Sequence, residues 1–543
     1  MRNSISSVTT LIVPLALAAS CALFFAYLLA RYNYDGLYGQ DAYAYYYQAL
    51  ALWDDITGQP LPANWLSTSV GFRWPIGYHL HIIAGFLFSG TGPEGGRLLT
   101  LLLAATTPTL VYLIVRELWP GVSARNRIVA GLTAGVLLVL NGTYTRFGLS
   151  LMSDVPSLFW GLLGLLLFLK AWPVDELRSE QQWFRLRKGH WAFAAGLAFG
   201  VAVLVRYGSL LLLAPIATYF VARRVTQPEH ATWKREFMPL AWAAAGFVLA
   251  LLPQAAYYLT HPAGSGYSAF LGDWNIANIF ASRVTSADGT AIYDRPMLEF
   301  YLLGPLASED ASGGFFSRFI LPALALGGWT LFRERRWPVI ALLVSWWLIP
   351  VLIFSGTPYQ SHRFVLTYLP ALTIIAGVGV ATALGAIYTR LAHPPPRPHI
   401  AARLVAGVVL LSLGVCVVQG WRGVDRWVQT HAAFKEDESK VVSLAREAAE
   451  GSTPRVVSFG TTAALFYNTR WPMLDFYNAD EQQIDRFLQG RGPRLVVLPE
   501  ESMSTQWAGT PSGARWNWIR GRYSLQRQGK AGAYTIYRVQ DSP

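Results

Sequence analysis

The chain has 543 residues, a formal net charge of +12, 53% hydrophobic residues and only 14% charged residues. A water-soluble domain usually carries roughly 25% charged residues, so this composition excludes a soluble globular protein of this length. The positive excess sits in short loops between apolar runs and not in a basic stripe interleaved with stacking aromatics, which excludes a nucleic-acid-binding surface.

In chain order, the first apolar run (8–30) lacks a small-residue cleavage site and reads as a retained span, not a signal peptide. Further spans are expected near 97–117, 128–146, 155–172, 191–205, 208–224, 239–258, 316–333, 338–354, 364–390 and 401–419. The expectation is an α-helical polytopic membrane protein with about eleven transmembrane helices. Arg125 and Arg127, Arg185 to Lys188, Arg223 and Arg224, Arg333 to Arg336, and Arg390 to Arg403 then all face inward, so the N-terminus is expected in the cytoplasm. The segment 76–90 is apolar but short of the roughly 20 residues a span needs, and reads as a helix in the outer interface. Arg206 and Tyr207 split 191–224 into two short spans. The two cysteines, Cys21 and Cys416, lie within apolar runs, which disfavours a disulfide or a cysteine metal site.

Two outer loops follow from this topology, 31–96 and 259–317, and together with the spans they form an expected membrane module over residues 1–424. From 425 to 543 the composition turns charged, and a soluble α/β domain outside the membrane is expected. Its strands are expected at Arg455 to Phe459, Met473 to Phe476, Arg494 to Leu498 and Tyr534 to Arg538, with helices near 438–449, 462–468 and 481–488, giving a partly parallel sheet. It carries no Gly-rich phosphate loop.

The chemistry-bearing residues cluster at the outer ends of spans. Asp41 precedes Tyr43, Tyr46, Tyr47 and Leu50, which recur at helical spacing, and Asp154 precedes the run to Trp172. Both positions suit an N-cap carboxylate, a role compatible with catalysis because a cap fixes the group in place. Cations expected on the same side are Arg73, Arg97, Arg146, Arg206, His362 and Arg363. Arg363 opens an outer-facing span, where a guanidinium can bind phosphate by charge-assisted hydrogen bonds. His79 and His81, two apart on a helix, point to different sides and make a poor metal pair.

These pieces, in the order Asp41 with its tyrosines, Arg73-Trp74-Pro75-Ile76-Gly77-Tyr78, Glu94-Gly95-Gly96-Arg97, Ser153-Asp154-Val155-Pro156, Arg206-Tyr207 and His362-Arg363-Phe364, resemble the GT-C superfamily of membrane glycosyltransferases. Within it the resemblance is to the branch of protein O-mannosyltransferases, lipid A aminoarabinose transferases and related bacterial enzymes. The resemblance covers about 390 residues of the 543. It implies transfer of a hexosyl or pentosyl group from a polyprenyl-phosphate donor to an acceptor hydroxyl on the outer face, with inversion, in the cell membrane of a bacterium. Asp41 would be the catalytic base, and Asp154 a second acidic site serving acceptor or metal. Arg363, His362 and Arg206 would bind the donor phosphate, with Tyr43, Arg73, Tyr78, Arg97 and Arg146 as further pocket residues. The acceptor would be a glycan, lipid or protein. Neither acid belongs to an Asp-x-Asp pair, which leaves a divalent metal requirement open; no other cofactor is implied. A secondary transporter and a polysaccharide ligase or polymerase using lipid-linked oligosaccharide are the competing readings. No internal repeat supports the transporter.

Overall fold

The computed structural model describes residues 2–32, 34–58, 75–174, 182–226, 233–260, 274–286, 289–304, 316–392 and 400–540. Arg73 lies outside the described residues. Among those described, nine helices are long and apolar enough to cross a membrane, from Ile12–Tyr32 to Arg403–Ala449. A tenth span is available if Ala124–Val139 and Gly142–Leu149, bent by 66°, count as one. The chain is an integral membrane protein. The segment expected as a span at 316–333 forms a 3-10 turn, Arg318–Ile320, and a 13-residue helix, Leu321–Arg333, shorter than these nine. Just past it, Glu334 accepts from the Trp119 indole and Arg336 donates to the Pro120 carbonyl, at the end of Pro93–Leu118 remote from Glu94. The run 191–224 does break into two candidate spans, Lys188–Val205 and Tyr207–Thr226.

Three elements near the chain's start frame the site. Helix α1 (Arg2–Tyr32) ends in a turn that feeds α2 (Gly39–Thr57), which holds the tyrosine cluster. Helix α3 (Gly77–Ser89) has only 13 residues and leaves Leu87 and Phe88 exposed, as a helix lying at the interface would. Its histidines are structural: His79 Nε2 pairs with Gln48 at 2.7 Å, and His81 Nε2 accepts from the Trp160 indole at 2.7 Å.

Spans approach closely at small residues, because lipid tails give two apolar helices no hydrophobic reason to associate and backbone contact has to supply it. A Cβ at Gly196 would lie 1.8 Å from the Ala243 carbonyl oxygen, and one at Gly246 would lie 2.2 Å from that of Phe193. These glycines seat Gln182–Val205 against Trp233–Thr260. Gly196→Val is therefore expected to cost more than about 3 kcal/mol by overpacking and to abolish the monodisperse peak in detergent size-exclusion after mild heating. Gly328→Ala, with nothing within 4 Å, is the control and should run as wild type.

The last helix is continuous over 50 residues, Ile400–Ala449. It runs unbroken past position 424 into the C-terminal domain, so the change to charged composition does not mark a helix end. Its C-terminal half packs on the first loop: Tyr43 donates to Glu438 at 2.9 Å, and Lys435 sits 3.0 Å from Asp35. In the second loop, β1 (Arg283–Ser286) pairs antiparallel with β2 (Gly289–Ile292). The C-terminal sheet joins β3 (Arg455–Ser458), β4 (Met473–Asp475), β5 (Arg494–Leu498), β6 (Ser524–Ala531) and β7 (Tyr534–Gln540) in the order β4-β3-β5-β7-β6. Strands β3, β4 and β5 are parallel, and β7 runs antiparallel to β5. The expected strands are all present. An additional edge strand, β6 (Ser524–Ala531), pairs with β7 around an irregularity between Arg527 and Gly529. Its sequence is polar on both faces, and the apolar alternation that marks a half-buried strand is missing. The helix Thr462–Thr469 packs its Phe466 and Tyr467 rings on Tyr46 and Tyr47, so the soluble domain and α2 lie on one side of the molecule.

Candidate functional site

The turn before α2 brings the first acid into place. Gly36 has φ +87°, and a Cβ there would meet Arg97 Cδ at 2.7 Å, so only glycine fits this bend. The Leu151 amide donates to the Gly36 carbonyl at 3.0 Å, and the Tyr34 and Ser150 hydroxyls pair at 2.9 Å. These bonds stitch the first loop to the segment leading into Asp154–Ala171 and bring the two acids together.

Neither acid caps its helix. Asp41 lies within the first turn, two residues after Gly39, and the N-cap position is Tyr38, which has no side-chain cap bond. Asp154 is the first residue of its helix, and the Ser153 N-cap also lacks such a bond. The capping expectation fails because distant arginines claim both carboxylates. Arg363 Nη1 donates to Asp41 Oδ2 at 2.6 Å, and Arg363 Nε donates to Asp154 Oδ1 at 3.2 Å. Arg206 Nη1 reaches the same Asp154 oxygen at 2.9 Å. Arg206 can do so because the backbone is extended there (φ −157°, ψ 121°), at the break between two spans.

Exposure separates the acids. The Asp154 side chain is 2% exposed and that of Asp41 39%. Asp41 opens onto a cavity of about 320 Å³ that Arg146, Ser361, His362 and Arg363 also line. Asp154 instead borders a narrow crevice with Ser157, Ser209 and Thr367, where its Oδ2 has no hydrogen-bond partner. Burial works to lower the Arg363 pKa, but the carboxylates of Asp154 and Asp41 outweigh it and raise it, so Arg363 stays cationic.

The Arg146 guanidinium is flanked by the rings of Tyr38, Phe147 and Trp427 at 5.3, 4.8 and 4.8 Å. His362 is pushed down to about 4, by burial first and then by the Arg146 charge. It is thus neutral near pH 7, and its imidazole can offer a hydrogen bond but no charge. A native pKa below the unfolded value of about 6.5 means that folding is favoured fully above pH 6.5, with that gain lost as pH falls towards 4. Acidification from pH 7 to 4.5 should therefore lower the melting temperature of wild type by several degrees more than that of His362→Gln. Above pH 6.5 the difference between the two should be constant.

Of the other residues singled out by sequence, Arg206, Tyr43, Tyr78 and Arg97 do not line this cavity, and Arg206 borders the crevice beside Asp154 instead. Tyr43 is directed to Glu438 and Lys435, Tyr78 pairs with Thr100 at 3.1 Å, and Arg97 donates to the Tyr34 carbonyl. Tyr38, Gln360 and Trp427 surround the site unannounced by any motif. Among the described residues no group of three or more His, Cys, Asp or Glu could hold a metal ion; the cation between the two acids is a guanidinium.

Residues 72–263 match the family model for dolichyl-phosphate-mannose-protein mannosyltransferase, less than half of the chain. This stretch contains Asp154 and Arg206 but neither Asp41 nor Arg363. No curated protein sequence gives a significant match. Among solved structures, the chain is similar to ArnT from Cupriavidus metallidurans in the apo state, at a TM-score of 0.60 and 17% identity over 98% of both chains. The same enzyme bound to undecaprenyl phosphate gives a TM-score of 0.60 and 17% identity over 96% of this chain and 97% of that one. The archaeal oligosaccharyltransferase AglB from Archaeoglobus fulgidus, in complex with an inhibitory peptide and a dolichol-phosphate, gives 0.58 and 13% identity over 96% of this chain and 74% of that one. The chain shares its fold with ArnT and AglB.

Proposed function

We propose that this chain is a glycosyltransferase that moves a sugar from a polyprenyl-phosphate donor to an acceptor hydroxyl on the outer face of the membrane. The carrying observation is the Arg363 guanidinium, held between a sealed carboxylate, Asp154, and an accessible one, Asp41, at the wall of a cavity. The fold shared with ArnT and AglB, solved with undecaprenyl phosphate and dolichol-phosphate, supports the donor class. Arginine-rich loops gather at one end of the spans, a bias that supports a cytoplasmic N-terminus and a soluble domain outside the cell membrane.

In this reading Asp154 holds Arg206 and Arg363 in place, and Arg363 and Arg206 face the donor phosphate. Phosphate oxygens compete with Asp41 for Arg363 Nη1, so donor binding frees the Asp41 carboxylate as a base. Asp41 takes the acceptor hydroxyl proton, and the acceptor oxygen bonds to the anomeric carbon from the face opposite the phosphate. The bond from that carbon to the phosphate oxygen breaks, and its electron pair leaves with the lipid phosphate, whose added charge the arginines stabilise. Arg146, held among aromatic rings, and the neutral His362 complete the wall around the sugar. Because the described acids do not fit a metal site, no step is assigned to a metal.

The test is a transfer assay with purified protein, envelope extract as acceptor and a radiolabelled polyprenyl-phosphate sugar. Protein-dependent movement of label out of the lipid-phosphate fraction supports the reading. Label that stays on the lipid phosphate, or an intact donor that crosses vesicle membranes, contradicts it and favours the transporter.

A further inference from the structure

Arg363 stands on a stretch with little secondary structure of its own. The preceding helix ends at Ser355, the next begins at Leu369, and only the short turn His362–Val365 lies between. A guanidinium that must reach two carboxylates at once needs its backbone fixed from elsewhere. The fixing comes from the second outer loop. The Tyr293 hydroxyl donates to the Pro358 carbonyl at 3.1 Å, and the Asn278 side chain donates to Gly356 at 3.0 Å. Phe300 sets its ring edge-on to His362 at 5.3 Å.

Tyr301 makes the tightest of these contacts. Its side chain is fully buried, packed on Phe354 with ring centroids 5.9 Å apart. Its hydroxyl donates to the Tyr359 carbonyl and accepts from the Ser361 amide at 3.0 Å, so one oxygen clamps the backbone on both sides of Gln360. Its own carbonyl accepts from the Tyr368 hydroxyl at 2.6 Å, which ties the clamp to the start of the following span. We infer that Tyr301 is a positioning residue that sets Arg363 in register with Asp41 and Asp154, and that the second outer loop thereby governs the rate of transfer. The same loop reaches the soluble domain, since the Thr290 amide donates to the Gln506 carbonyl at 3.2 Å. The clamp thus gives the soluble domain a mechanical path to the site. The inference rests on the role given to Arg363 above.

Tyr301→Phe keeps the ring and its packing and removes only the two hydroxyl bonds. Misplacing a catalytic group by an ångström costs on the order of 100-fold, so kcat should fall about tenfold or more, with a smaller rise in KM for the donor, whose phosphate Arg363 also meets. In an Arg363→Lys background the same substitution should cost almost nothing, because the fork it positions is already gone. Hydrogen exchange gives a readout independent of turnover: amides of 357–366 should exchange about tenfold faster in Tyr301→Phe, while those of 321–333 stay at the wild-type rate. Unchanged exchange in 357–366 would overturn the clamp. Faster exchange with wild-type kcat, or equal losses in both backgrounds, would overturn the positioning role. Should wild type itself show no transfer, the glycosyltransferase reading fails, and the exchange experiment still decides whether the clamp exists.

Discussion

Asp41→Asn should lower the rate of sugar transfer by about 10² to 10⁴, the range a positioned general base contributes, with the melting temperature almost unchanged. The amide is isosteric and can still accept from Arg363, but it cannot take a proton. Stability should hold because Asp41 is 39% exposed, and a pair that open to water contributes no more than about 1 kcal/mol. Binding of undecaprenyl phosphate should be kept or slightly strengthened, since a carboxylate that competes with phosphate for Arg363 has been neutralised. Single-turnover transfer and lipid-phosphate binding, measured on the same preparation, check both halves. Asp154→Asn should behave in the opposite way. Its carboxylate is 2% exposed and holds two arginines, so its loss leaves buried charge uncompensated and should reduce folded yield before any rate can be compared.

Arg363→Met should abolish measurable transfer and destabilise the protein. Removing one partner of a buried ionic group costs about 3–5 kcal/mol. The lower end is expected here, because Arg206 remains 2.9 Å from Asp154. Arg363→Lys separates charge from geometry. A single ammonium cannot reproduce the fork that reaches Asp41 through Nη1 and Asp154 through Nε, so stability should largely recover while transfer stays about 100-fold down. Melting curves in detergent and initial rates at saturating donor measure the two effects. Arg363→Lys with the wild-type rate would mean that charge alone is needed.

What was legible in the sequence follows the physics of each signal. Lipid demands long uninterrupted apolar helices, so most spans could be read directly. The segment 316–333 stood out as an apolar run, but its Ser317-Arg318 interruption shortens the regular helix, which starts only at Leu321 after a 3-10 turn. The parallel strands of the soluble domain are short apolar runs and stood out, whereas β6 is a polar edge strand without alternation and did not. Asp41 and Asp154 were conspicuous as acids beside apolar helices, but local rules favoured capping. Their partners lie far away in sequence, Arg363 being 322 residues from Asp41, and no local pattern encodes such a pairing. Tyr301, Gln360 and Trp427 owe their places to tertiary packing alone, and sequence offered no signal for them.

The stereochemistry of one reaction tests the role of Asp41 most directly. Purified wild-type protein would be given a polyprenyl-phosphate sugar of defined anomeric configuration, and the product linkage and released lipid read by NMR. A base at Asp41 and attack opposite the phosphate predict an inverted linkage, with one polyprenyl phosphate released per sugar moved. A retained configuration would contradict it, because Asp41 would then have to bond to the sugar instead of taking a proton.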